Sequence, residues 1–173
     1  MVRRVLTRGI QSGLVIAGLG IGLTACQSMS SDSHSASTIA FGGSTSCAQL
    51  PASKAVKVVV EPSAHKVISG CTEIGASPMG ALALLKKAHI ELGTQKFSFG
   101  LALCQVDYVP AHYVECLPAK ADYWGVYVAK AKGKWVASSV GISDVRLSRG
   151  ESLGLRYVPP VNNPPSPAGP GRL

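Results

Sequence analysis

Hydrophobic side chains recur at every second position in several stretches of the chain. Val56, Val58 and Val60 follow this spacing, which predicts a β-strand, and residues 66–68 predict a shorter second strand. Later stretches of the same kind predict a long strand with one apolar face and three further strands. These stretches are 96–103, 123–129, 135–140 and 153–158.

A different pattern lies between the second and third of these predicted strands. The stretch MGALALLKKAHIEL is rich in leucine and alanine, which favour helices. Ser77 is placed to cap a helix, Pro78 suits the first helical position, and Gly93 is placed to end the helix. The pattern therefore predicts one helix over 78–91, and an α+β fold in which a single sheet packs against that helix.

The first 25 residues have the features of an export signal. Arg3, Arg4 and Arg8 precede an almost wholly apolar run over 13–25, and no acidic residue lies among the first 12. The run is shorter than the roughly 20 residues that a membrane-spanning helix needs. A basic start, a short apolar stretch and small residues before a cleavage site predict a signal peptide over 1–25.

The four residues Leu23-Thr24-Ala25-Cys26 resemble the lipobox of bacterial lipoprotein signals. That resemblance implies that the thiol of Cys26 receives a diacylglycerol, and that cleavage then makes Cys26 the N-terminus. Additional acyl chains, palmitate among them, would hold the protein firmly on the bilayer. The expected location is the cell membrane, with the rest of the chain on the extracytoplasmic side.

Composition divides the remainder into three parts. Residues 26–46 are rich in Ser, Thr, Gly and Ala, which predicts a flexible tether. Residues 47–159 contain the predicted strands and helix, and form the expected folded domain. Residues 160–173 are rich in proline and predict a disordered or extended tail.

The net charge of the chain does not by itself exclude any class of binding partner. The formal net charge is +8, but charged residues make up only 15% of the chain and the lysines are scattered. No arginine-rich stretch with interleaved aromatics suggests nucleic-acid binding, so no nucleic-acid partner is expected.

With Cys26 assigned to lipidation, four cysteines remain, an even number in an oxidising compartment. We therefore expect two disulfides. Cys104 and Cys116 flank a short loop with a proline, which favours the pairing Cys104–Cys116 and Cys47–Cys71 among the three that are possible. A zinc site would usually show closely spaced pairs such as Cys-x2-Cys, and the sequence has none, so no metal is expected.

No catalytic motif with a recognisable spacing is present, and we expect no enzyme activity. A nucleophilic Cys104 with His112 as its base is the enzyme alternative, but a bridge to Cys116 is favoured. Aromatic residues in the second half of the chain are the better functional signal, because exposed aromatics suit ligand or partner binding. The candidate ligand-binding residues are Tyr108, Tyr113, Tyr123, Trp124 and Trp135.

Three stretches together resemble a small extracytoplasmic domain of bacterial surface proteins. They are GCTEIGASPMGALALLKKAHIEL, FGLALCQVDYVPAHYVEC and DYWGVYVAKAKGKWVASSVGISDVRLSRGESLGLRYVP. This domain, the DUF4430 domain, is similar to the C-terminal domain of transcobalamin and intrinsic factor. The resemblance covers about half of the chain and implies a β-grasp-like fold. In transcobalamin the domain covers one face of a corrinoid.

These observations lead to two functional hypotheses. The first is a non-enzymatic surface lipoprotein whose domain binds a small, corrinoid-like ligand or a transporter or other envelope protein. Its only cofactor-like group would be the acyl lipid on Cys26. The second is a structural or adhesive envelope module without a ligand. A concave aromatic pocket would favour the first hypothesis.

Overall fold

The computed structural model describes residues 38–39, 41–43, 45–131 and 133–168. The predicted signal peptide, the lipidation residue Cys26 and most of the predicted tether lie outside the described residues. None of the described helices is long and apolar enough to cross a membrane.

The described part of the chain is a mixed α and β structure built mostly from strands. Its strands are β1 (Thr38–Ile39), β2 (Ala55–Ser63), β3 (Lys66–Glu73), β4 (Met79–Gly80), β5 (Leu92–Phe97), β6 (Gly100–Val106), β7 (Tyr123–Ala129), β8 (Val136–Ala137), β9 (Arg146–Leu147) and β10 (Ser152–Val158). The helix is α1 (Ala81–Lys87), and two 3-10 turns, Cys47–Gln49 and Ala52–Lys54, precede β2.

One six-stranded sheet, in the order β1-β3-β2-β10-β7-β8, carries most of the fold. Strands β2 and β3 form an antiparallel hairpin, and β10 lies parallel to β2 and antiparallel to β7. Because β2 and β10 lie at the centre of the sheet, their side chains on the core face are completely covered. Val56, Val58 and Val60 are fully buried, and so are Leu153 and Leu155 of β10.

The first face of this sheet holds the main hydrophobic core. Leu84 and Leu85 of α1 are fully buried there with the valines of β2 and the leucines of β10. Trp124 of β7 belongs to the same core. The predicted arrangement of one sheet with one packed helix is therefore present, although two smaller sheets, β4-β9 and β5-β6, accompany it.

The helix is shorter than the predicted 78–91. It begins only at Ala81, because Met79 and Gly80 pair with β9, and Ser77 makes no cap. It ends at Lys87, since His89 takes a positive φ of 57° and the amide of Ile90 donates to the Leu85 carbonyl. This turn places Ile90 in the core, a gain that outweighs continuing the helix towards Gly93.

The single strand predicted over 96–103 is instead the turn and second strand of a hairpin. Phe97 pairs with Gly100, so the chain reverses at Ser98 and Phe99. Gly100 has a φ of +113°, a conformation that glycine adopts without strain. The apolar alternation through Phe97, Phe99 and Leu101 therefore crosses a turn, and Phe99 stays exposed with its ring stacked on Phe97.

The strand predictions near the C-terminal end are closer to the structure. Residues 123–129 form β7, as predicted, and the strand predicted at 153–158 is β10 with one more residue at its start. Of the strand predicted at 135–140, only Val136 and Ala137 pair with β7.

Both favoured disulfides are present. Cys47–Cys71 joins the first 3-10 turn to β3, and Cys104–Cys116 closes the loop that follows β6. The two Cα atoms are 4.9 Å apart in Cys47–Cys71 and 4.3 Å apart in Cys104–Cys116. The first distance lies within the range usual for disulfides, and the second lies just below that range.

The proline-rich end of the chain, predicted as a disordered or extended tail over 160–173, is described as far as residue 168. Residues 161–168 form neither helix nor strand, as their prolines dictate. They nevertheless pack on the second face of the main sheet, where Pro167 is buried. Prolines prevent strand pairing, but they do not prevent apolar contact or hydrogen bonds to their carbonyls. Residues 169–173 lie outside the described residues.

Candidate functional site

One cleft in the described part of the chain lies beside the Cys104–Cys116 disulfide. Its volume is about 370 Å³, and its walls include the rings of Tyr113, Tyr123 and Tyr157. We call it the tyrosine cleft. Its three rings come from the disulfide-closed loop, the start of β7 and the end of β10, so it exists only when these segments meet.

The sheet register positions the rings from β7 and β10. Trp124 pairs with Tyr157 across the two strands, and their ring centroids are 5.4 Å apart. Trp124 is 4% exposed and lies in the core, so its ring supports the cleft from below. Tyr123, the preceding residue, also lines the cleft, together with the loop that leads into β7.

The loop after β6 is held in place by more than its disulfide. The indole N–H of Trp124 donates to the Val109 carbonyl at 2.8 Å, and the side-chain amide of Gln105 donates to the Pro110 carbonyl at 2.7 Å. Tyr113 packs over Gly93 of β5, where a Cβ would lie 2.7 Å from the tyrosine hydroxyl. The wall that carries Tyr113 is therefore anchored at several points.

The charges around the cleft differ from those of the whole chain. Asp122 and Glu115 line it together with His112, whereas no lysine or arginine of the described residues does so. The net charge of the chain, by contrast, is +8. Carboxylates beside aromatic faces favour a neutral or cationic ligand, because both attract positive charge.

The acidity of two tyrosines reports on their surroundings. Burial raises the pKa of Tyr157, and the negative charge of Asp122 raises it further. Burial also raises the pKa of Tyr127, with a further increase from Tyr123 and an opposing effect of Arg156. Asp122 raises the pKa of Tyr157 and does not affect the pKa of Tyr127. Comparing the two tyrosines therefore tests whether the negative charge of Asp122 acts in the cleft.

Asp122→Asn is expected to lower the pKa of Tyr157 towards its ordinary value, because the neutral amide no longer disfavours the phenolate. The pKa of Tyr127 should stay where it is. Alkaline titration followed by NMR of the tyrosine rings separates the two groups. An unchanged Tyr157 would show that Asp122 does not face the cleft.

The five aromatic residues predicted as ligand contacts fall into three groups. Tyr113 and Tyr123 meet in the tyrosine cleft, and Trp124 is a core residue that also lines a smaller cleft beside it. Trp135 packs on the second face of the sheet, where its indole N–H donates to the Ala168 carbonyl at 2.9 Å. Tyr108 is 67% exposed and lines no cleft described here.

Tyr157 is the residue of the cleft that sequence reasoning missed as a candidate. It lies at the end of the last strand, far along the chain from Tyr113 and Tyr123. Its only sequence signal is an aromatic side chain at a strand end. The pairing of β10 with β7 is what brings it to the site.

A second cleft of about 220 Å³ adjoins the first. Leu103 and Tyr123 line both, and the second cleft continues between β6 and β7 towards Val140. The part of β7 that precedes Val126 has no strand partner on this side among the described residues. The two clefts together give the site an extended apolar floor.

The enzyme alternative loses its nucleophile in this structure. Cys104 is bonded to Cys116, so it has no free thiol for His112 to activate. Within the described residues, no cluster of three or more His, Cys, Asp or Glu side chains is arranged to hold a metal ion.

No protein-family model matches the chain, and no curated protein or solved structure matches it either.

Proposed function

We propose that this chain is a lipid-anchored extracytoplasmic binding protein whose tyrosine cleft takes a small ligand. The observation that carries the proposal is the convergence of Tyr113, Tyr123 and Tyr157 on one cleft of about 370 Å³. Ligand sites commonly have volumes of about 300–1,000 Å³ and combine apolar walls with a few polar groups. Asp122 and Glu115 are the polar groups in this case.

The membrane part of the proposal rests on the start of the chain. Leu23-Thr24-Ala25-Cys26 follows a basic segment and a short apolar run, as in lipoprotein signals. Two disulfides support an oxidising compartment, since such bonds persist mainly outside the cytoplasm. The lipid on Cys26 would keep the tyrosine cleft near the membrane surface.

The order and pairing of the strands support the finer, β-grasp-like description of the fold. A hairpin, β2-β3, precedes the only described helix, and the last strand returns to lie parallel to β2 in the middle of the sheet. This arrangement fits the proposed likeness to the DUF4430 and transcobalamin C-terminal domains. A corrinoid is therefore the first ligand class to test.

The chemistry of the cleft suggests a second class of probe. Three phenol rings beside two carboxylates, with no lysine or arginine of the described residues among them, suit an organic cation. Choline is the simplest such probe, and its neutral isostere 3,3-dimethyl-1-butanol isolates the contribution of the charge. An anion of similar size should bind more weakly than either.

Tyr123→Ala is expected to weaken binding of cyanocobalamin or choline about 5- to 30-fold, because an aromatic face on a ligand contributes ~1–2 kcal/mol. Titration calorimetry of the purified chain measures this directly. Tyr108→Ala is the matched control, since Tyr108 is exposed and does not line the cleft. Equal losses in both variants, or no binding of either probe to the wild-type chain, would contradict the proposed ligand site.

Intact mass spectrometry of the membrane-extracted chain tests the anchor in the same preparation. We expect cleavage before Cys26, a diacylglyceryl addition on that residue, and four hydrogens fewer than the reduced chain because of the two disulfides. Recovery of the uncleaved chain from the soluble fraction would contradict the anchor and leave the ligand test unaffected.

A protein partner is the second candidate, and exposed apolar side chains favour it. Val114 is fully exposed, and Tyr108, Tyr113 and Leu117 are exposed on the same loop. Such a cluster is typical of protein contact sites, so a transporter or another envelope protein would contact this loop. Val114 also lines the tyrosine cleft, whereas Tyr108 does not. A Tyr108→Ser variant that loses its partner and still binds cyanocobalamin or choline therefore separates the two functions.

A further inference from the structure

Residues 164–168, which we call the strap, lie across the second face of the main sheet. They make four polar contacts with that face through their backbone, and each contact uses a side chain of the sheet or of the segment next to it. The hydroxyl of Tyr127 donates to the Pro165 carbonyl at 3.2 Å, and the indole N–H of Trp135 donates to the Ala168 carbonyl at 2.9 Å.

A buried ion pair supplies the other two contacts. Arg156 and Glu61 approach to 3.3 Å on neighbouring strands, and the side chain of Glu61 is 5% exposed. The guanidinium of Arg156 also donates to the Ser166 carbonyl, and the carboxylate of Glu61 accepts from the Ala168 amide at 2.8 Å. The strap therefore donates a hydrogen bond to the carboxylate oxygen of Glu61 that is not the one paired with Arg156.

The apolar part of the contact is shaped for a proline ring. Pro167 and Trp135 both lie over Gly154 of β10, where a Cβ would be 2.9 Å from the proline Cγ and 3.0 Å from the tryptophan ring. Because Gly154 has no side chain, it leaves room on this face of the strand for the proline and tryptophan rings. The face is thus a groove with a fitted floor, an aromatic wall and polar ends.

These features match a known way of recognising proline-rich segments. Aromatic grooves accept prolines against their rings, while tryptophan and tyrosine donate hydrogen bonds to backbone carbonyls that lack a partner within the segment. The strap has the matching composition, with prolines at 164, 165 and 167. None of Tyr127, Trp135, Arg156 or Glu61 lines the tyrosine cleft itself, although Tyr127 and Pro164 of the strap also line the second cleft that adjoins it.

We propose that the groove formed by Glu61, Tyr127, Trp135, Gly154 and Arg156 is a recognition site for proline-rich segments of other envelope proteins, and that the strap occupies it in cis. The segment that connects the strap to β10 is exposed from Pro159 to Asn163. Release of the strap therefore costs the contacts of the groove and no strand pairing. A partner segment with the same chemistry takes its place.

Occupation in cis sets how strongly a partner competes. A short tether holds the strap near its groove at an effective concentration in the millimolar range. If the strap itself has an intrinsic dissociation constant of about 100 µM, any partner segment binds the intact chain roughly tenfold more weakly than a chain whose strap is free to leave. The strap would thus limit binding to partners present at high local concentration.

The test uses the full chain with a specific protease site inserted between Asn162 and Asn163, both of which are exposed. After cleavage, a fluorescent peptide with the sequence of residues 162–168, NNPPSPA, is titrated in, and its anisotropy is followed. The control peptide, NNAASAA, has alanine at the three proline positions. We expect the cleaved chain to bind NNPPSPA about tenfold more tightly than the uncleaved chain does, and NNAASAA to bind neither.

Two variants of the cleaved chain connect binding to the groove. Trp135→Phe keeps an aromatic ring and removes the N–H, so we expect a 2- to 10-fold loss of affinity for NNPPSPA, corresponding to one hydrogen bond. Tyr108→Phe, away from the groove, should change nothing. Native mass spectrometry of the same samples reports whether the cleaved fragment leaves and whether copies associate.

Three results would overturn the proposal. Equal affinity for NNPPSPA and NNAASAA would show that the groove does not read prolines. Unfolding of the cleaved chain when its fragment leaves would make the strap a part of the fold rather than an occupant. A dimer formed by exchange of straps, with no binding of added peptide, would assign the groove to a second copy of this chain. None of these results bears on the tyrosine cleft.

Discussion

Trp124→Ala is expected to lower the free energy of unfolding by about 3–5 kcal/mol, the usual cost of removing a large aromatic side chain from a core. Trp124 is 4% exposed, packs against Tyr157 and lies in the same cluster as the leucines of α1 and β10. Its loss leaves a cavity and also leaves the Val109 carbonyl without the donor it has at 2.8 Å. Few single changes in this domain should cost more.

Urea unfolding followed by circular dichroism measures the loss, and two other variants separate its causes. Trp124→Phe keeps most of the packing and removes the N–H, so a loss of about 1–3 kcal/mol is expected. Tyr108→Ala, at an exposed aromatic residue, should stay within about 0.5 kcal/mol of wild type. If Trp124→Ala destabilised the chain no more than Tyr108→Ala, Trp124 would have to be a surface residue available to a ligand.

Loss of either disulfide is the second large effect. By the loop-entropy relation, removing Cys47–Cys71 should cost about 3.5 kcal/mol and removing Cys104–Cys116 about 3 kcal/mol, because they close loops with sequence separations of 24 and 12. Paired replacement of both cysteines by alanine avoids an unpaired thiol. The two bonds should therefore look alike in an unfolding experiment.

Ligand binding should distinguish them. Cys104 and Cys116 line the tyrosine cleft, whereas neither Cys47 nor Cys71 does. The Cys104→Ala/Cys116→Ala chain should lose affinity for cyanocobalamin or choline under conditions where it is still folded. The Cys47→Ala/Cys71→Ala chain should keep that affinity. Equal losses of affinity at matched fractions folded would mean that the disulfide does not shape the cleft.

The alternation of apolar residues predicted strands correctly where the alternating stretch belongs to a single strand. Residues 123–129 and 153–158 are strands because their alternation persists for a full element, and Gly125 and Gly154 within them do not take a positive φ. The same reasoning was wrong for 96–103. There Gly100 takes a positive φ and the chain reverses after Phe97, so the apolar spacing continues across a turn.

The helix shows a similar limit. Leucine, alanine and a favourable proline predicted a helix over 78–91, but tertiary contacts shorten the helix at both ends. Met79 and Gly80 pair with β9, and Ile90 turns into the core. A helix of this length gains little from propensity alone, so packing decides where it starts and stops.

The aromatic residues show the same division for the candidate site. Their concentration in the second half of the chain was visible in the sequence, but their roles were not. Tyr123 and Trp124 are adjacent, and opposite sides of one strand make the first a wall of the cleft and the second a core residue. Tyr157 joins them only through the pairing of β10 with β7.

The sequence by itself determined the elements that depend on local chemistry: two strands within one residue of their observed bounds, the presence of one helix, and the pairing favoured for Cys47, Cys71, Cys104 and Cys116. These follow from side-chain period, backbone propensity and loop length, which act over a few residues. Only the tertiary structure decided that β2 and β10 lie side by side, that three tyrosines share one cleft, and that a proline-rich segment covers the second face. Each of these depends on contacts between residues far apart in the chain, and no local pattern records which distant partner will be there.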